Sequence, residues 1–129
     1  KINKIKNYNK ESIQGKVHQK KDILSWKMIK KMYMNPKYIS PCHAGSLFGI
    51  ITSNGKVYPC EILENKLLGN LRDNDMDFMK IWNNKNTKDA RKTIIKDKCN
   101  CTYECALSYN ILGNWRYQHR LASSLFNLS

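Results

Sequence analysis

Five cysteines give this chain its widest chemical reach, and they are unevenly spaced. Cys42 and Cys60 are isolated, with seventeen residues between them, whereas Cys99, Cys101 and Cys105 crowd one stretch as C-x-C-x-x-x-C. Four thiolates brought to one point hold zinc or an iron–sulfur cluster. Zinc ribbons use close C-x-x-C pairs, and this chain has none, so the spacing leans toward a cluster. The bland alternative is five unrelated thiols. It fits Cys42 or Cys60 taken singly, because cysteine is a common core residue, but it does not fit the trio. An odd cysteine count, behind a polar and basic start from Lys1 to Lys10, argues against a disulfide framework and for a reducing, cytoplasmic setting.

Other reactive residues form no comparable set. His18, His43 and His119 are scattered, and His43 adjoins Cys42 as a neighbour of the site or a surface residue. Asp73, Asp75 and Asp77 read as helix-capping residues rather than an ion site. No Ser/His/Asp set, phosphate loop or paired-carboxylate pattern stands out, so no catalytic residue is expected.

The thiols need elements to position them. Ser12 to Met34 is helical in pattern, with Ile13, Val17, Leu24, Met28 and Met32 on one stripe and Trp26, Ile29 and Tyr33 widening it. Asn35-Pro36 ends that helix, and residues 1–10 before it read as a linker. A β-hairpin follows: Ser46 to Thr52, a tight turn at Asn54-Gly55, then Lys56-Val57-Tyr58, stopped by Pro59. A hairpin brings its two ends together, so Cys42 and Cys60 become neighbours. Gly69-Asn70 reads as a second turn. Asp75 is expected to cap a helix to about Asn84, with Met76, Phe78, Met79 and Trp82 as its apolar residues, and Thr87 to cap another through Ile95. Residues 97–104 read as a cysteine-bearing loop. A final helix runs from Cys105 to about Phe126, carrying Leu107, Ile111, Leu112, Trp115 and Leu125 and weakened by Gly113. Cys105 then sits at a helix N-terminus, which favours a thiolate. The expected fold class is α+β: a small hairpin followed by helices around a cysteine-ligated site, with an N-terminal helix.

Composition bounds the function. The net charge is +13, but the first 40 residues hold eleven Lys and two acids, and the other 89 residues carry only +4. Lys outnumbers Arg 19 to 4. A surface built for phosphate would use more Arg, for its bidentate fork, so the basic segment reads as a solvated helix and nucleic acid is not the expected partner. No apolar run approaches the ~20 residues a membrane helix needs.

Five blocks in order resemble the SPASM/twitch region of radical SAM proteins. They are Pro41-Cys42-His43-Ala44-Gly45; Ile51-Thr52 with Gly55-Lys56-Val57-Tyr58-Pro59-Cys60-Glu61; Leu68-Gly69-Asn70-Leu71-Arg72; Ile81-Trp82; and Cys99-Asn100-Cys101-Thr102-Tyr103-Glu104-Cys105. The resemblance covers roughly residues 39–107. It implies an auxiliary [4Fe-4S] cluster behind a catalytic barrel, with residues 1–38 as a linker and a helix that is the end of that barrel or the bridge to it, and 39–129 as the auxiliary domain with its C-terminal helix. A full SPASM domain has seven cysteines and two clusters. Five cysteines with a shortened terminal set look more like the single-cluster, twitch-like variety. Cys42, Cys60 and Cys105 are the expected ligands. Cys101 is favoured as the fourth because three residues separate it from Cys105, matching a family spacing, and Cys99 is the spare, although the two can exchange roles.

The C-x-x-x-C-x-x-C signature that binds S-adenosylmethionine is missing: Cys101-x-x-x-Cys105 begins it, and Ser108 stands where its last cysteine belongs. The chain alone is therefore not expected to cleave S-adenosylmethionine, which belongs to the barrel of a longer parent enzyme. The resemblance implies electron relay or substrate engagement. The partners would be that barrel, an electron donor or acceptor protein, and a peptide, protein or small-molecule substrate. Two other readings stand beside it: a zinc module with a basic nucleic-acid-binding helix, and a free-standing ferredoxin-like carrier.

Overall fold

The computed structural model describes the backbone of residues 12–126; the expected linker at 1–10 lies outside the described residues. The chain is α+β, as its sequence pattern implies. Its residues gather into two compact units, one built from the residues up to Pro41 together with those from Asn100 onward, the other from Cys42–Cys99.

In the first unit, helix α1 spans Ile13–Met34. Ser12 caps it, its hydroxyl accepting from the Gly15 N–H at 2.9 Å. Only the inner half of the expected stripe is buried: Met28 and Met32 join Leu107, Ile111 and Leu121, with Leu24 and Ile29 packed alongside. Ile13, the first residue of the helix, and Tyr33, turned about 100° from the buried Met32, are exposed instead. Those helices are α4 (Glu104–Leu112) and α5 (Trp115–Phe126), numbered in chain order, and they replace the single helix expected from Cys105 to Phe126. The break falls at Gly113-Asn114. Asn114 starts α5 by accepting from the Arg116 N–H at 3.1 Å, and the Gln118 side chain donates to the Leu112 carbonyl at 2.8 Å. Both helix ends are thus satisfied at the break. The break leaves Trp115 and Leu112 exposed.

The second unit is a three-stranded antiparallel sheet backed by helices. Strands β1 (Ile50–Ile51), β2 (Lys56–Tyr58) and β3 (Gly69–Asn70) lie in that order, with Ile51 opposite Val57 and Val57 opposite Gly69. The hairpin is where the sequence places it, but two details differ. Residues 45–47 form a turn, so the first strand is far shorter than Ser46–Thr52. The loop is also one residue longer than a tight Asn-Gly turn: the Thr52 N–H donates to the Lys56 carbonyl at 2.9 Å, and only Gly55 has a positive φ, of 85°. The Thr52 hydroxyl donates to Asn54 Oδ1 at 2.6 Å and holds that loop closed.

Gly69-Asn70 is a strand, not a turn. A Cβ on Gly69 would lie 3.1 Å from Ile81 Cγ2, so glycine serves here for close packing rather than for reversal. Asn70 instead starts a 3₁₀ turn at Leu71–Asn74, its side chain accepting from the Arg72 N–H at 3.0 Å. That turn ends with Asp75 in left-handed geometry, φ 54°, so Asp75 cannot cap the next helix. Helix α2 (Phe78–Trp82) is capped by Asp77. Helix α3 (Lys85–Lys96) is capped by Asn84, not Thr87. Thr87 is buried, and its hydroxyl donates to the Ile81 carbonyl at 2.8 Å. One core of this unit is Val57, Leu68, Leu71, Ile81 and Ala90, between the sheet and helices α2 and α3.

Candidate metal centre

A second buried group in the Cys42–Cys99 unit holds thiols. Ala44, Cys60 and Ile94 are buried together, and Cys42, Phe48, Leu63 and Cys99 pack against them. None of the five cysteines is tied up in a disulfide, which leaves the sulfurs able to serve as metal donors.

Each of the three thiols in this unit is delivered by a distinct local device. Cys60 follows β2 and the buried Pro59, which ends the ladder. It is 5% exposed, and its carbonyl accepts from the Leu63 N–H at 3.1 Å in the next turn. Cys42 leads into a tight turn. The His43 carbonyl accepts from Ser46 and Leu47 N–H, and the Gly45 N–H donates to Phe48 at 2.8 Å. Gly45 has φ 71°, and a Cβ there would lie 3.2 Å from Pro59 Cβ, so glycine allows this turn to rest on the residue before Cys60. Cys99 follows α3. The Lys98 N–H donates to the Ile95 carbonyl at 3.1 Å and the Cys99 N–H to the Ile94 carbonyl at 3.0 Å, with Lys98 at φ 49°. This is a Schellman termination with a lysine in the left-handed position usually held by glycine, and it sets Cys99 against the group of Ala44, Cys60 and Ile94.

Arg91 ties the Cys42 turn to the helices. Its Nε donates to the Gly45 carbonyl at 2.5 Å and Nη2 to the Trp82 carbonyl at 2.9 Å, and its guanidinium lies 5.1 Å from the Trp82 ring centroid. No sequence motif singles out Arg91. The available signal was compositional: in a chain with 19 Lys, each of the four Arg occupies a place where Lys was the easier choice. His43, beside Cys42, is held below the ordinary imidazole value by desolvation, which favours its neutral ring.

Cys101 and Cys105 belong to the other unit. Cys101 is half-buried in the loop before α4, and Cys105 is exposed at the second residue of that helix. The helix starts without a side-chain cap, so its first N–H groups are left to stabilise negative charge nearby. The structure therefore groups Cys42, Cys60 and Cys99 within one unit and places Cys101 and Cys105 in the other. Among the described residues, no three His, Cys, Asp or Glu side chains are drawn together around a single ion. A four-iron cluster takes one thiolate per iron and spreads its donors more widely than one ion does, and an all-sulfur donor set suits it.

The family model for the SPASM domain, an iron–sulfur cluster-binding domain, matches residues 42–106. That span is half of the chain, and the chain belongs to this family of iron–sulfur cluster-binding domains, whose members serve as auxiliary domains of radical SAM proteins. The match begins at Cys42 and encloses all five cysteines. No curated protein and no solved structure matches the chain. No helix among the described residues is long and apolar enough to cross a membrane.

Proposed function

We propose that this chain holds one auxiliary [4Fe-4S] cluster for a radical SAM enzyme whose catalytic barrel lies in the same parent polypeptide. The observation that carries the reading is the family match from Cys42 to residue 106, which spans a hairpin with a cysteine beyond each end and the terminal trio. Cys42, Cys60 and Cys105 are the ligands this reading rests on, with Cys101 as the fourth by spacing and Cys99 as its competitor.

A bound cluster would supply one-electron transfer at low potential. The chain's own residues would set how well it does so. The apolar wall of Ala44, Phe48, Leu63 and Ile94 keeps water from the buried side of the site, and exclusion of water is one of the levers on potential. Four cysteine ligands leave no iron open to substrate, which favours electron relay between the barrel and a donor or acceptor protein over direct ligation of a peptide or metabolite. Five cysteines outside any disulfide fit a reducing, cytoplasmic compartment.

The test is electron paramagnetic resonance on the anaerobically reconstituted, dithionite-reduced chain, with and without S-adenosylmethionine. The expected result is a one-electron-reduced cluster signal that S-adenosylmethionine leaves unchanged. A signal reshaped by S-adenosylmethionine would mean an open iron and would overturn the relay assignment.

A further inference from the structure

We infer that Cys99, rather than Cys101, is the fourth thiolate of the cluster site, beside Cys42, Cys60 and Cys105. The inference rests on the auxiliary-cluster reading and sharpens it. Spacing from Cys105 favours Cys101, but three structural observations favour Cys99.

Cys99 lies in the same compact unit as Cys42 and Cys60, and Cys42 and Cys99 pack against the buried group of Ala44, Cys60 and Ile94. Cys101 belongs to the other unit. Cys99 is ordered by the same packing that orders Cys42 and Cys60, which lessens the conformational freedom left to lose on binding. The backbone also spends energy to hold Cys99 there. Lys98 sits at φ 49°, a left-handed geometry that a residue with a Cβ disfavours. Strain of this kind persists only where the surrounding structure enforces it. Here the two Schellman hydrogen bonds and the packing of Cys99 against the group of Ala44, Cys60 and Ile94 do so. Finally, Cys99 is carried on the end of α3, the helix that bears Arg91, and Arg91 anchors the Cys42 turn. One helix therefore organises two of the four donors.

Cysteine alkylation of the wild-type chain, read by peptide mass spectrometry, separates the two candidates. Cys99 and Cys101 are both half-buried, so burial alone does not distinguish them. In the iron-loaded protein Cys99 should resist iodoacetamide while Cys101 reacts, and both should react once the iron has been chelated away. Cys99→Ala should lose most of its iron, whereas Cys101→Ala should keep the wild-type content of about four. Circular dichroism of both variants verifies that helix content is intact. Alkylation of Cys99 in iron-loaded protein, or a Cys99→Ala variant with full iron, would overturn the inference and leave the cluster reading standing. A wild-type chain that takes up no iron would overturn the cluster reading itself, and the inference with it.

Discussion

Arg91 is the residue whose removal should do the most damage without touching a thiol. Its guanidinium gives two charge-assisted hydrogen bonds, to the Gly45 and Trp82 carbonyls, and a stacking contact with Trp82. Hydrogen bonds to charged groups contribute about 1.5–3 kcal/mol each, and an exposed cation–π contact about 0.5–1 kcal/mol. Arg91 is only half-buried and these terms share one side chain, so the low end applies. Arg91→Met keeps much of the aliphatic stem and should cost about 2–4 kcal/mol in urea unfolding, at an unchanged slope. Arg91→Lys keeps the charge but not the fork, and should recover less than half of that loss. If iron leaves through opening of the turn after Cys42, its release to a chelator should accelerate about 30-fold or more, at 1.4 kcal/mol per factor of ten. Arg91 does not anchor the Cys42 turn if both variants unfold within about 0.5 kcal/mol of the wild type, the range expected of an ordinary surface change.

Three further substitutions probe the scaffold around the thiols, each read by chemical denaturation. Asn84→Ala removes the cap of α3, where Oδ1 accepts from the Thr87 N–H at 2.8 Å, and also the donation from Nδ2 to the Leu68 carbonyl at 2.9 Å; a loss of about 1–2.5 kcal/mol is expected. Gly69→Ala drives a methyl to 3.1 Å from the fully buried Ile81 and should cost about 1–3 kcal/mol, whereas a neutral result would show that the β3–α2 contact yields freely. Lys98→Gly relieves left-handed strain at the end of α3 and should stabilise the chain by about 0.5–1 kcal/mol; destabilisation would contradict the Schellman reading of the Cys99 approach.

The larger features could be read from residues alone. Ser12 and Pro36 bracket α1, Gly55 marks the hairpin, and the ordered cysteine blocks point to the family. What the sequence reading missed follows from competition between local signals and tertiary contacts. Gly69-Asn70 carries turn chemistry, yet Ile81 needs a glycine opposite it, and the segment pairs as a strand. Asp75, Asp77, Asn84 and Thr87 are all capable caps within thirteen residues, and propensity does not rank them. The preceding 3₁₀ turn puts Asp75 in left-handed geometry, and the burial of Thr87 turns its hydroxyl to the Ile81 carbonyl. In the site, cysteine spacing could rank Cys101 above Cys99 by family pattern. It could not show that the end of α3 carries Cys99 into the same packed group as Cys42 and Cys60.

The central claim is that these thiols hold an iron–sulfur cluster, and metal analysis tests it most directly. The chain should be reconstituted with iron and sulfide under anaerobic conditions, and its iron, sulfide and zinc measured together with the visible spectrum. A brown protein with about four irons and matching sulfide per chain is the predicted result. A colourless protein holding one tightly bound zinc would contradict it.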